Sequence, residues 1–249
     1  MVKHIPNMIT SLNLLCGAVA IVFALSGDLV VAAVFVFLGI FLDFFDGLAA
    51  RLLKVQSALG AELDSLADMV TCGVVPGLVM FQLLNKVTSA GKSYSFGYEK
   101  TETMLWMGGK INFVPFIGFL IILGAAYRLA KFNVDTRQTH HFIGLPTPAN
   151  ALLVLSFPLI FEFQYTPLIE QVLFNQWFLI GITILSVVLM NAEIPLFAFK
   201  FKTWDFKSNV QRWVFVVICI GLLLWLKFLA LPLLIALYVV MSLLWRTSD

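Results

Sequence analysis

FLDFFDGLAARLLKVQSALGAELDSLAD, residues 41–68, decides how this chain folds. It holds four aspartates in the frame Asp43-x2-Asp46-Gly47-x2-Ala50-Arg51-x8-Gly60-x3-Asp64-x3-Asp68, with strongly apolar sequence on both flanks. A carboxylate at the edge of a hydrocarbon slab costs roughly 2.5–3.5 kcal/mol on the insertion scale unless it is paired, hydrated or metal-bound. Four in one short stretch need a shared counter-charge, and a divalent cation is the simplest. Asp43, Asp46, Gly47, Ala50 and Arg51 recur every three or four residues, so they share one helix face. Asp64 and Asp68 are one turn apart on a following helix. A short turn at 54–59 would point all four carboxylates into one cleft. Oxygen donors with no His or Cys among them select Mg2+, Mn2+ or Ca2+ over Zn2+. Gly47 and Gly60 lack side chains and permit close approach to the backbone, and Arg51 can fork onto a phosphate.

The rest of the chain places this stretch in a membrane. Of 249 residues, 61% are hydrophobic and 12% charged, against about 25% charged in a soluble domain. The apolar runs imply an all-α, polytopic membrane helix bundle rather than a barrel. Eight runs approach the roughly 20 residues that a crossing needs: 9–25, 30–53, 60–84, 113–132, 149–163, 177–190, 213–226 and 228–245. The second and third project beyond the lipid at the aspartate end. Only Lys227 and Pro232 divide the last two. Trp106, Trp177, Trp204, Trp213 and Trp245 fall near predicted ends, as interfacial tryptophans do.

Basic residues set the orientation. Lys3, Arg51, Lys54, Arg128, Lys131, Arg137, Lys200, Lys202, Lys207, Arg212 and Arg246 would share one side, against Lys86, Lys92, Lys100, Lys110 and Lys227. The longer set is expected in the cytoplasm, together with both termini and all four aspartates, where soluble nucleotides are. The first run follows Lys3 and His4 without a small-residue cleavage site and reads as a retained span. Residues 85–110, polar and carrying Glu99 and Glu102, read as an external loop with a hairpin at 94–98. Cys16, Cys72 and Cys219 lie in apolar segments and read as buried thiols. A net charge of +2 gives a nucleic-acid partner no support. With no internal repeat or appended soluble domain visible, 1–249 reads as a single membrane domain.

The aspartate frame resembles the signature of the CDP-alcohol phosphotransferase family, Asp-x2-Asp-Gly-x2-Ala-Arg-x8-Gly-x3-Asp-x3-Asp, and matches it at every fixed position. Other segments are most similar to the bacterial phosphatidylserine synthases of that family. The opening Pro6-Asn7-x2-Thr10-x2-Asn13 is one. Glu62-Leu63-Asp64-Ser65-Leu66-Ala67-Asp68, followed by Gly73-Val74-Val75-Pro76, is a second. Arg128-Leu129-Ala130-Lys131-Phe132-Asn133 and Phe142-Ile143-Gly144-Leu145-Pro146-Thr147-Pro148-Ala149 complete the likeness, which covers about residues 5–150. Ser65 stands where phosphatidylglycerophosphate synthases usually carry proline. Cys72, where many relatives have an aromatic, and Lys131, in place of arginine, are departures that bear on affinity more than on the reaction.

The resemblance implies a six-helix catalytic core over about 1–190, with two added C-terminal helices over about 191–249. It implies transfer of the phosphatidyl group from CDP-diacylglycerol to L-serine, giving phosphatidylserine and CMP, by a homodimer in the cell's inner (cytoplasmic) membrane. On the family pattern Asp43, Asp46 and Asp64 are metal ligands and Asp68 lies near a second ion; Mg2+ or Mn2+ is expected, with Ca2+ a possible occupant. Asp68 is also the candidate general base, the rival being a solvent hydroxide. Asn7, Thr10, Asp46, Gly47, Ala50, Arg51 and Gly60 would line the nucleotide pocket, with a helix cap the alternative for Asn7. Arg128, Lys131 and Asn133 would bind the serine carboxylate or the lipid phosphate, or serve as positive-inside anchors. Pro146 and Pro148 are read as shaping the start of a helix, His140 and His141 as a solvated loop, and Glu162 as interfacial. Other acceptors (glycerol phosphate, inositol phosphate, choline), an ether-lipid donor and, remotely, a cation transporter are the alternatives.

Overall fold

The computed structural model describes residues 4–88, 112–135, 142–196 and 210–244. Helix α1 (Ile5–Leu25) opens with Pro6 in its first turn, where a missing N–H breaks no hydrogen bond. The chain reverses through Gly27, whose φ of +86° a side chain would oppose. Asp28 then caps α2 (Leu29–Leu52), its carboxylate accepting from the Val31 N–H at 3.1 Å. Phe23 stacks on Phe35 near this turn and Thr10 meets Asp46 at the other end, so α1 and α2 are an antiparallel pair. Lys54, at φ 55°, ends α2, and the Val55 N–H closes back onto the Ala50 carbonyl at 3.0 Å.

One long helix follows. It is α-helical over α3 (Ala58–Asp68), widens into a π turn at Met69–Val74, and resumes as α4 (Val75–Thr88). Pro76 gives the physical reason: it has no N–H to donate and its ring crowds the carbonyl one turn earlier, which the wider turn accommodates. Thr71, inside that turn, is where three helices touch. A Cβ on Gly17 would come within 2.6 Å of the Thr71 hydroxyl, and one on Gly39 within 2.7 Å of its methyl. Close crossing at small residues is how apolar helices gain packing in lipid.

A 3-10 turn (Val114–Phe119) leads into α5 (Leu120–Val134), antiparallel to the long helix: Gly77 faces Ile122, Gly73 faces Ala125, and Ser65 faces Asn133. Strands β1 (Phe142–Ile143) and β2 (Pro195–Leu196) pair as a two-residue antiparallel ribbon. Next to it Gly144, at φ +75°, presses against the end of a later helix, where an added Cβ would lie 2.4 Å from the Met190 carbonyl oxygen. Pro146 and Pro148 flank the start of α6 (Thr147–Phe163), as expected from the sequence. Thr166 caps the short α7 (Pro167–Leu173), and Asn175 caps α8 (Gln176–Asn191). Helices α9 (Val210–Leu226) and α10 (Ala230–Leu244) meet at a 3-10 turn, Lys227–Leu229, whose Leu226 carbonyl and Leu229 N–H are both bonded by Gln164. The core centres on α6, with Asn150, Ala151, Val154, Leu155 and Ile160 buried against neighbours that include Leu29, Val36, Val75, Met80 and Ile121.

Among the described residues five helical stretches are long and apolar enough to cross a bilayer: Ile5–Leu25, Leu29–Leu52, Ala58–Thr88, Val114–Val134 and Val217–Leu243. The α7–α8 pair, bent by 61°, makes a sixth if taken as one. The polytopic all-α bundle therefore stands, while the eight runs reduce to five or six spans on length and composition. The fifth run is α6, 17 residues long and shorter than any of the five, with most of its residues buried in the bundle. The last two runs join into one stretch. Helix α4 continues to Thr88, past residue 85 where the loop is expected to begin. The 94–98 hairpin, Glu99, Glu102, His140, His141, Trp106, Trp204 and Trp245 lie outside the described residues.

Candidate active site

Three of the four aspartates meet. Asp43 and Asp46 come from the C-terminal half of α2 and Asp64 from α3, and one carboxylate oxygen from each lies within 4.8 Å of the others. Asp46 is the most enclosed, at 6% exposure. Thr10 of α1 donates its hydroxyl to Asp46 Oδ2 at 2.5 Å. Asn13, one turn along α1, is held by the Thr71 hydroxyl, which donates to its Oδ1 at 2.9 Å. That bond fixes which way the amide points. Its Nδ2 is turned to Asp43 Oδ1, at a long 3.5 Å, and toward Asp68. The first helix thus presents donors to the carboxylates, and the π turn locks one of them in place.

Asp68 stands beside the trio, not in it. It ends α3 just where the π turn begins, with Cys72 Sγ 4.0 Å from its Oδ1. Arg128 of α5 acts on Asp68 from the facing helix, and Tyr238 of α10 adjoins the same guanidinium. Arg128 is buried, at 8% exposure, and its Nε has no hydrogen-bond partner among the described residues. Of its two expected companions, Lys131 pairs with Glu193 at 3.1 Å, and exposed Asn133 accepts from Ser65 Oγ at 3.1 Å. Arg128, Lys131, Ile143, Met190 and Asn191 line a small cleft at this end of the bundle.

The remaining nucleotide-pocket candidates divide. The flank of Gly47 is open, since a Cβ there would meet nothing within 4 Å. Ala50 is half-buried on the same helix. Arg51 is exposed and folds back to donate from Nε to the Gly47 carbonyl at 3.0 Å. At Gly60 the group that comes close is Asn7 itself, whose Oδ1 would lie 3.2 Å from an added Cβ. Asn7 is not a helix cap: α1 begins two residues earlier, with His4 at the N-cap position. Asn13 and Thr71 were absent from the sequence-derived site. The spacing of Asn13 three residues beyond Thr10 is a signal that puts it on the same helix face. No local pattern marks Thr71, whose partner is 58 residues away.

The donor set fits a hard divalent cation. The three clustered side chains offer only carboxylate oxygens, the ligand type that Mg2+ and Mn2+ prefer. No lysine or arginine bonds any of these three carboxylates among the described residues. Clustered carboxylates next to open space at Gly47, with Asp68 in the field of the Arg128 guanidinium beside them, can bind a phosphate ester through a metal and accept a proton next to it.

A model of the CDP-alcohol phosphatidyltransferase family matches residues 3–189. The CDP-diacylglycerol–serine O-phosphatidyltransferase of Bacillus subtilis (strain 168) is 34% identical over 171 residues, covering 67% of this chain and 80% of that protein. The enzyme of the same name from Helicobacter pylori (strain J99) is 30% identical over 214 residues, 85% of this chain and 79% of its own. The archaetidylserine synthase of Methanothermobacter thermautotrophicus (strain Delta H) is 29% identical over 155 residues, 61% of this chain and 57% of its own.

Proposed function

The chain belongs to the CDP-alcohol phosphatidyltransferase family, and we propose that its alcohol is L-serine, so that CDP-diacylglycerol and serine give phosphatidylserine and CMP. The observation that carries this reading is the Asp43–Asp46–Asp64 cluster with Asp68 and Arg128 at its side. The names of the relatives support the acceptor, since all three contain serine. The archaeal relative keeps an ether-lipid donor as the second reading.

In this reading Asp43, Asp46 and Asp64 hold Mg2+ or Mn2+, with a second ion near Asp68. Bound there, divalent metal offsets the charge of the diphosphate and of the departing CMP. The protein's own residues position and deprotonate. Thr10 and Asn13 hold the carboxylates of α2 in place. Gly47 and Ala50 leave room for the nucleotide along α2. Asp68 takes the proton from the serine hydroxyl as that oxygen bonds to the phosphorus carrying diacylglycerol, and the bond from this phosphorus to the CMP oxygen breaks. Such base assistance is worth roughly 10²–10⁴-fold. Arg128 receives the serine carboxylate. Residues 1–190 form the catalytic core and 191–249 an addition, in keeping with a family match that ends at 189.

The test is CMP release by purified protein from CDP-diacylglycerol, with serine, glycerol phosphate, inositol phosphate and choline in parallel. Release with serine alone is expected. Release with another acceptor and none with serine would reassign the substrate while leaving the reaction class intact.

A further inference from the structure

The first turn of α6 carries buried polar groups that the reaction scheme above does not use. Thr147 is 1% exposed and Asn150 fully buried, and among the described residues the Thr147 hydroxyl and both polar atoms of the Asn150 amide have no hydrogen-bond partner. Being three residues apart, they lie on one face of the helix. Leaving such groups dry costs about 1–3 kcal/mol each, so a fold that places them together in its core has a use for them. Their surroundings say which. Leu145, two residues before Thr147, donates to the Leu189 carbonyl, and the next residues of α8, Met190 and Asn191, line the cleft that holds Arg128. Helix α6 packs on α5, which carries Arg128, and on the π turn that follows Asp68. Among the described residues the Arg128 Nε and the Asn191 Oδ1 are unpartnered as well.

We propose that Asn150, assisted by Thr147, is a specificity-determining residue that reads the acceptor as a zwitterionic amino alcohol. An amide presents an N–H donor and a carbonyl acceptor side by side. The donor suits a carboxylate and the acceptor suits an ammonium. A phosphorylated polyol has no ammonium to give, and choline has no N–H, so each leaves part of the amide unpaired. A site built to bond such groups discriminates strongly against analogues that lack them. The assignment rests on serine being the acceptor.

The test compares wild type, Asn150→Asp and Thr147→Val, each checked for monodispersity in detergent and for CDP-diacylglycerol binding. Asn150→Asp keeps the shape, loses the donor and sets a negative charge against the carboxylate. It should raise the KM for serine about tenfold or more, leave that for CDP-diacylglycerol within about twofold, and gain activity on ethanolamine, which has the ammonium and no carboxylate. Thr147→Val, nearly isosteric, should raise the serine KM by a smaller factor. Unchanged serine KM in both variants, or equal rises for both substrates, would overturn the assignment and leave these residues as core hydrogen-bonders. If Asn150→Asp does not fold, an unchanged serine KM in Thr147→Val decides against it. Wild type that releases no CMP with serine sinks the acceptor reading itself, and this proposal with it.

Discussion

Asp68 differs from its three companions in where it stands. It lies one turn beyond Asp64, outside the tight carboxylate group, with Arg128 and Asn13 beside it. Asp68→Asn should therefore lower turnover at least about 100-fold, the lower range for a lost base, and keep most CDP-diacylglycerol binding. Asp43→Asn, which removes a carboxylate from the cluster, should weaken binding as well. A variant Asp68→Asn with more than about a tenth of wild-type rate would rule out the base role. Arg128 makes a separate prediction. Its loss in Arg128→Ala should raise the serine KM by about tenfold to 150-fold, the equivalent of about 1.5–3 kcal/mol for a charge-assisted bond. Arg128→Lys should recover part, since lysine lacks the planar fork. A rise confined to the lipid substrate would move Arg128 to the phosphate, and no change would make it an anchor. The sequence exposed these residues because carboxylates at helical spacing in apolar flanks have few explanations. It hid Thr71, whose bond to Asn13 joins residues 58 apart and leaves no periodic trace, while Asn13 itself shares the helix face of Thr10. It also offered a cap role for Asn7, which lies inside α1, two residues past its first residue.

Elements were legible where burial is one-sided and long. The first four apolar runs correspond to helices within a few residues, because hydrocarbon forces every backbone group to bond within its own segment. At α6, 17 residues long, enclosure by protein and contact with lipid give the same apolar composition. The β1–β2 ribbon and α7 were missed, since a two-residue ladder has no period and α7 is seven residues long. The π turn has a local cause in Pro76, but its consequence, Thr71 aimed at Asn13, is a tertiary fact. Two glycines separate fold from function at this scale. Gly144→Ala should destabilise the protein by about 1–3 kcal/mol, the usual range for a strained backbone position, because φ is +75° and the Met190 carbonyl blocks the new methyl. Gly47→Ala meets nothing and should leave the melting temperature in detergent unchanged or slightly raised, while raising the KM for CDP-diacylglycerol. A fall in stability for Gly47→Ala would show that its role is packing and not access.

For the molecule as a whole, the charge balance sets the strongest test. Its net charge is only +2, and little of its positive charge reaches the aspartates: Lys131 pairs with Glu193, exposed Arg51 folds back onto the Gly47 carbonyl, and Arg128 acts on Asp68. Like charges within 4.8 Å of one another repel by about 3.5 kcal/mol or more at an effective dielectric of 20. Three such carboxylates within one helix junction therefore strain the contact between α2 and α3 unless a cation or protons neutralise them. Divalent metal should accordingly stabilise the fold as well as support turnover, by an amount that grows with its concentration above the dissociation constant. Chelation is expected to abolish CMP release and lower the melting temperature in detergent, and Mg2+ or Mn2+ to restore both. Asp43→Asn, with one charge fewer, should show a smaller shift in melting temperature on chelation. Full turnover in excess chelator would exclude metal from the reaction. A melting temperature indifferent to metal, alongside metal-dependent turnover, would mean that cation enters with the nucleotide instead of residing in the cluster.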